Sequence, residues 1–219
     1  MPDWRSHAER EEERYRDGEA RLPDQSDRDA RQRQLTRMGN AAAGAGICLV
    51  MAEETDRARE WFDRAIERYR ESFELAPPAS WGRPIAMVKS RILADDWAGA
   101  EADSRWTLEQ GAADAGSPIG RYAAALALLV LGRDQEALVV AEELRRQADF
   151  PAAVGDSLAF IAAQDRPEYD EAIESVLKSF ETRDEYLEDV PVADTVIVLQ
   201  ALASRRDMAA ELTSELLPG

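Results

Sequence analysis

The sequence has very few of the side chains on which metal sites and nucleophilic catalysis depend. It contains one cysteine, Cys48, and one histidine, His7. A single cysteine excludes an internal disulfide framework, and one cysteine with one histidine is too small a set of soft ligands for a structural zinc. We therefore expect no metal ion and no cofactor. Because Cys48 lies between Ile47 and Leu49, we expect it to be a buried small hydrophobic residue.

Long apolar runs are also lacking. The longest, Ala123–Leu131, ends at Gly132 and is far too short to cross a bilayer. The first seven residues do not have the basic-then-apolar layout of a secretory signal. These features predict a cytoplasmic protein that has no membrane as its partner.

Lysine is nearly absent, with only Lys89 and Lys178 among 27 basic residues, whereas aspartate and glutamate number 44 and the net charge is −17. Such an acidic, arginine-retaining composition looks halophilic, because a dense carboxylate surface stays hydrated and its self-repulsion is screened in high salt. An arginine-favouring, GC-rich genome is the alternative origin. In both cases the surface repels phosphate backbones, so we expect no nucleic acid as partner.

Helical periodicity extends through most of the chain. Residues 1–25 carry charges of alternating sign and are predicted to form a polar N-terminal arm, disordered or helical, that faces solvent outside the core. Beyond it, Ser26–Asp29 and Ser117-Pro118 have the residues that begin helices. The spacing of the breaks predicts nine or ten helices joined by short connections in one domain, residues 26–219.

Small residues recur at a nearly constant interval. Five alanines lie 42, 37, 35 and 37 residues apart, close to the 34-residue period of the TPR unit: Ala58, Ala100, Ala137, Ala172 and Ala209. In such a unit a small residue of the second helix lets the paired helices approach. Over roughly residues 35–217 the chain resembles the TPR-like helical repeat superfamily. The resemblance implies an all-α fold, a TPR-like α-α superhelix of about five degenerate helix hairpins, with an irregular helical bundle as the alternative.

A second resemblance concerns the C-terminal third. The segment Ser179–Glu188, followed by Val192–Thr195 and Leu199–Ala203, is similar in pattern to the closing segment of the immunity-protein family numbered 49. Members of that family are all-helical proteins thought to neutralise toxins by direct binding. The resemblance implies a toxin-neutralising function and assigns no role to an individual residue.

Short matches to catalytic motifs occur in the sequence, but they lack the companion residues that such motifs require. Ser175–Lys178 matches S-x-x-K without the companion motifs of serine acyl enzymes, and Gly44–Gly46 lacks the third glycine of a dinucleotide site. Carboxylate pairs such as Asp95 and Asp96 follow from the acidic composition. We therefore expect a protein without enzymatic activity and without catalytic residues. An enzyme that uses carboxylates in a helical cavity is the alternative.

The combined pattern favours a protein–protein interaction module, an adaptor or scaffold that binds a protein or peptide partner through its helical face. In helical solenoids the first helix of each pair lines the concave surface. On the register of the five alanines, the predicted partner-binding residues are Asn40, Ile85, Lys89, Tyr122, Leu126, Gln164 and Asp194, with Trp81 from a connection rich in Pro and Gly. This lining is largely apolar with a few polar points.

Overall fold

A computed structural model describes residues 3–186 and 189–219, and within those ranges it contains ten α-helices and no strand. The helices are α1 Trp4–Arg21, α2 Arg28–Met51, α3 Thr55–Leu75, α4 Gly82–Leu93, α5 Trp97–Glu109, α6 Pro118–Val130, α7 Asp134–Arg145, α8 Ala152–Ala163, α9 Arg166–Glu181 and α10 Asp194–Ser204. The predicted all-α class and number of helices are confirmed. Across the same ranges every helix is too short or too polar to cross a bilayer. Leu187 and Glu188, within the segment similar to immunity proteins, lie outside the described residues.

The chain divides into two compact units. Unit 1 comprises Met1–Asp96, Asp184–Val192 and Glu215–Gly219 and contains helices α1 to α4. Unit 2 comprises Trp97–Arg183 and Ala193–Ser214 and contains helices α5 to α10.

Unit 1 is built on the close packing of α2 and α3. A Cβ atom added to Gly39 would lie 2.7 Å from the ring of Tyr69, and one added to Gly46 would lie 2.8 Å from the ring of Phe62. Both distances are well inside van der Waals contact, so only glycine permits the two aromatic rings to sit against the α2 backbone. The small residues of this stretch therefore serve helix packing.

The N-terminal arm is helical and belongs to the packed part of unit 1, so the prediction that it lies outside the core is wrong. Helix α1 packs on α2 and buries Ala8 and Tyr15, which are 1% and 4% exposed. Tyr15 meets Trp61 of α3 edge to face, with ring centroids 5.4 Å apart. The highly charged sequence obscured this because buried charges such as that of Glu12 are neutralised by partners, here Arg57 at 2.7 Å.

The centre of unit 2 is α6, which packs on α5, α7 and α8. All residues from 122 to 130 are buried. The helix begins as predicted, because the Ser117 side chain accepts a hydrogen bond from the Gly120 amide and Pro118 occupies the first helical position.

One backbone turn recurs at five helix ends. Helices α2, α4, α6, α8 and α10 are each followed by a residue in the left-handed region, with φ between 55° and 67°: Glu53, Asp95, Gly132, Gln164 and Asp207. In every case the next amide donates to a carbonyl five residues back, at 2.8–3.0 Å, which is the Schellman motif. After the first four of these turns a new helix begins two residues later. The repeated unit is therefore a helix, this tight turn, and the element that follows.

The turns show which of the predicted repeat alanines are equivalent. Ala58, Ala100 and Ala137 each follow the left-handed residue by five positions and are at most 1% exposed. In the fourth unit that position is held by Tyr169 and not by Ala172, so the predicted register is wrong there by three residues. Tyr169 occupies this position because its hydroxyl reaches Gln200 of α10 at 2.8 Å.

The fifth unit has no second helix. The prediction placed one at Ala209, but no residue after Ser204 is assigned to a helix in the described part of the chain. Residues 208–214 instead run along the surface of α9 and α10, held by side-chain contacts to their backbone. The alanine spacing missed this because tertiary contacts override helix propensity in this segment.

Candidate functional site

A cleft of about 460 Å³ lies within unit 2. Five elements form it: one face of α5, the end of α6, the start of α7, the end of α8 and the residues after α10. Its lining residues are Glu101, Arg105, Leu129, Val130, Leu131, Gly132, Asp134, Gln164, Arg205, Arg206 and Asp207. Six of these eleven residues are charged, so the cleft is a polar site and not an apolar groove.

The recurring turn explains why these residues converge. Gly132, Gln164 and Asp207 are the left-handed residues after α6, α8 and α10, and all three line the cleft. The C-terminal ends of three helices therefore meet there. Helix C-termini carry partial negative charge on their last carbonyl groups, which favours cations. The cleft accordingly contains three arginines.

Arg206 is the buried centre of the cleft, with a side chain only 7% exposed. Its Nε and Nη2 atoms donate to the two carboxylate oxygens of Asp134, at the start of α7. Its Nη groups also donate to the carbonyl oxygens of Leu129 and Leu202, at 2.8 and 2.9 Å, in the last turns of α6 and α10. One guanidinium thus connects three helix ends, as its planar fork of donors allows.

Arg205, the neighbouring residue, faces the half-exposed part of the cleft. Its guanidinium carbon lies 4.3 Å from the centroid of the Trp97 ring, and a terminal nitrogen lies 3.9 Å from the carboxylate of Glu101. Glu101 also accepts a hydrogen bond from Arg105 at 3.0 Å. Arg205 is 40% exposed, and its 3.9 Å separation from Glu101 is longer than a hydrogen bond. Stacking therefore orients a cation whose N–H donors remain available to a ligand.

Two of the three acidic groups of the cleft, Glu101 and Asp134, are engaged by the protein. Arg206 contacts both oxygens of Asp134, and Gln164 donates to one of them at 3.4 Å. Among the described residues no set of three or more histidine, cysteine, aspartate or glutamate side chains is arranged to hold a metal. The exposed hydroxyl of Ser175 donates to the carbonyl of Glu171 on its own helix. The arrangement is suited to binding through ion pairs and hydrogen bonds.

The largest pKa shifts lie away from the cleft. Burial, with a smaller contribution from the Glu11 carboxylate, raises the pKa of the Cys48 thiol to about 12. Cys48 is fully buried, which confirms the prediction of a small hydrophobic residue. Burial likewise raises the pKa of Tyr169, whose ring is completely enclosed.

The eight predicted binding residues are divided equally between the two units. Asn40, Ile85, Lys89 and Trp81 belong to unit 1, and Tyr122, Leu126, Gln164 and Asp194 belong to unit 2. Four of them are core residues with at most 9% exposure: Trp81, Ile85, Tyr122 and Leu126. Such side chains are enclosed and do not form a contact surface. Gln164 is the member of the set that lines the cleft.

Arg205 and Arg206 were not among the residues predicted from the sequence. Trp97 is partly exposed and carries Arg205 on its ring. A signal was present, because two consecutive arginines follow the apolar helix α10, where basic residues pair with the last carbonyls. Apart from Leu202, the residues that they contact lie 72 to 108 positions earlier in the chain, so the sequence did not indicate these partners.

Comparisons with known protein families, with curated proteins and with solved structures found no match for this chain.

Proposed function

We propose that this protein is a non-catalytic interaction module and that the cleft of unit 2 binds a segment of a partner protein. The observation that carries the proposal is the partly exposed Trp97 with Arg205 stacked on it. Tryptophan and arginine are the residues most enriched among those that dominate binding energy at protein interfaces. We also propose a TPR-like superhelix as the architecture, which the five recurring turns support.

The chemistry of the cleft indicates what the bound segment offers. Arg205 and Arg105, 40% and 59% exposed, present donors that suit a carboxylate or a main-chain carbonyl. Asp207 and Gln164 provide acceptors on exposed residues at the turns that line the same cleft. A polar protein segment with both acceptors and donors satisfies this mixed lining. The net charge of −17 favours the approach of a partner with a basic surface.

A site-specific photocrosslinker tests the location. Introduced at Gln164 in the cleft, it is expected to capture a partner in the cells that produce the protein. Introduced at Val139 of α7, which is 62% exposed and does not line the cleft, it is expected to capture none. Equal capture at both positions contradicts the proposed site.

An affinity measurement on the captured partner then tests the chemistry. Arg205→Ala is expected to weaken binding at least about tenfold, since a stacked arginine at an interface centre contributes more than 1 kcal/mol. The matched control is Arg133→Ala, which removes the same charge from an exposed arginine paired with Glu136 on α7. An equal effect of both substitutions would mean that net charge alone determines binding.

A further inference from the structure

The segment 208–214, called here the tail, occupies the place of the missing fifth second helix. Its exposure alternates strictly: Met208 is buried, Ala210, Leu212 and Ser214 are partly exposed, and Ala209, Glu211 and Thr213 are exposed. A period of two is the pattern of an extended chain with one face against the protein. The tail therefore lies on unit 2 in the manner of a bound peptide.

The side chain of Gln200 on α10 binds the main chain of the tail. Its Nε2 donates to the carbonyl of Ala210 at 2.7 Å, and its Oε1 accepts from the amide of the same residue at 3.0 Å. These two bonds reproduce the exchange of a hydrogen-bonded pair in an antiparallel sheet. The Tyr169 hydroxyl donates to the same Oε1 at 2.8 Å and fixes the orientation of the amide. Recognition of this kind depends on the backbone and not on the side chain of residue 210.

Contacts at both ends show that the tail must be extended. Arg166, the first residue of α9, donates to the carbonyl of Ala209 at 3.4 Å, and Glu181, the last, accepts from the hydroxyl of Ser214 at 2.8 Å. The fifteen-residue separation along α9 corresponds to about 22 Å. Five extended residues span about 17 Å, and the long side chains of Arg166 and Glu181 cover the remainder. Five helical residues span only about 8 Å, so a helical tail would be too short to make both contacts.

The extended state opposes the local preference of the sequence. Met208 to Leu212 reads Met-Ala-Ala-Glu-Leu, and every one of these residues is a good helix former. Local preferences that disagree with the adopted structure are characteristic of functional segments. The conflict reduces the free energy by which the tail is held, so the docked state is poised for release.

We propose that the tail groove, formed by Arg166, Tyr169 and Glu181 of α9 and Gln200 of α10, is a binding site for an extended polypeptide. The tail occupies it within the same chain, and a segment of a partner protein displaces the tail. The displacing segment carries an apolar, a small, an apolar and a hydroxyl-bearing residue at alternate positions, as do Met208, Ala210, Leu212 and Ser214. The proposal is independent of the cleft, because different contacts carry it.

A tethered tail competes with any added peptide at an effective concentration of about 1 mM. The probe is therefore a fluorescent peptide with the sequence of residues 207–215, added to full-length variants. Met208→Asp with Leu212→Asp places charge on the inward face and releases the tail, and this protein is expected to bind the peptide at least tenfold more tightly than the natural protein. The matched control, Ala209→Asp with Thr213→Asp, adds the same charge on the outward face and is expected to behave like the natural protein.

Gln200→Ala in the released-tail protein is expected to abolish the gain in peptide affinity, because it removes the main-chain recognition. No gain on release of the tail, or a gain that survives Gln200→Ala, overturns the proposal. A natural protein that is dimeric and becomes monomeric with Met208→Asp and Leu212→Asp also overturns it, since the occupant would then be the tail of a second copy.

Hydrogen exchange on the full chain provides a test that does not depend on the folding of the double variant. In the natural protein the amide of Ala210 is expected to be protected, and Gln200→Ala is expected to accelerate exchange over residues 209–214 without changing α6. Exchange over the tail that is equally fast in both proteins would show that Gln200 does not hold it.

Discussion

Arg206 and Asp134 form a two-point ion pair, in which Nε and one Nη of the guanidinium donate to the two carboxylate oxygens. The pair joins the second residue after α10 to the first residue of α7, 72 positions away in the chain. The Arg206 side chain also donates to the carbonyl oxygens of Leu129 and Leu202. It therefore satisfies four acceptor oxygens at three helix ends. The geometry of the cleft therefore depends on a single arginine.

Arg206→Met is expected to lower the free energy of unfolding by about 2–3 kcal/mol, because it removes the ion pair of Asp134 and a side-chain hydrogen bond from each of two helix carbonyls. The estimate is below the range for fully buried pairs because the Asp134 side chain is 23% exposed. Urea unfolding monitored by circular dichroism measures the change. Arg133→Met is the control, since that exposed arginine pairs with Glu136 in the same helix and its loss costs less than about 1 kcal/mol. Similar losses for the two variants contradict the assignment.

Gly46→Ala is expected to destabilise the protein by about 1–3 kcal/mol, although alanine is the better helix former. The new methyl group would lie 2.8 Å from the ring of Phe62 on α3, which is completely buried. Gly82→Ala, at the first position of α4 with no atom within 4 Å of the added methyl group, is expected to be neutral or slightly stabilising. Thermal unfolding of the two variants separates steric overlap from helix propensity, and a neutral Gly46→Ala would refute the close packing.

The Cys48 thiol is expected to be inert in the folded protein at pH 8 and to react with a thiol-specific disulfide reagent only on unfolding. Burial raises its pKa to about 12, so the reactive thiolate is essentially absent in the folded state. The reaction is followed by the absorbance of the released chromophore, in buffer and in denaturant. Rapid reaction in buffer would show that the thiol is accessible.

The raised pKa of Cys48 also predicts that the stability of the folded protein decreases at alkaline pH. The pKa of Cys48 is higher in the folded state than its ordinary value of 9.0, so the stabilisation is complete below pH 9 and is lost as pH rises toward 12. The slope from one proton is at most about 1.4 kcal/mol per pH unit. Cys48→Ala is expected to remove this component from the pH profile of the unfolding free energy, and an unchanged profile would contradict it.

Molar KCl is expected to raise the melting temperature. The net charge of −17 produces self-repulsion in the folded state, which salt screens. Screening of the ion pairs acts in the opposite direction, but exposed pairs such as Arg33–Asp29 contribute little. For a chain of this size, a gain of 1 kcal/mol raises the melting temperature by about 2–4 °C. A melting temperature that does not change from dilute buffer upward would refute the halophilic interpretation.

Much of the fold could be predicted because its signals are local. Helical periodicity, the Ser117-Pro118 start and three of the five spaced alanines correspond to features of the structure. The register of the fourth repeated unit was predicted wrongly because Tyr169, a large residue, occupies the position where the pattern requires a small one. The burial of α1 was missed because the arginines that neutralise its glutamates are distant in sequence, as Arg57 is from Glu12.

The candidate site was predictable only in part. Gln164 was selected as an inward position on the register of the five alanines, and it does line the cleft. Tyr122 and Leu126 were selected by the same register, but they face the core, because neighbouring helices cover both sides of α6. A helical register specifies the face of a helix and not the element that covers it.

By itself the sequence determined the all-helical class, the start of α6 at Ser117-Pro118 and the acidic net charge, because periodicity, capping and net charge are properties of neighbouring residues or of composition. Only the tertiary structure decided that α1 packs on α2, that Arg206 joins three helix ends and that the tail is extended. Each of these depends on contacts between residues far apart in the chain. For the tail, the two hydrogen bonds from Gln200 hold a helix-favouring segment in the opposite conformation.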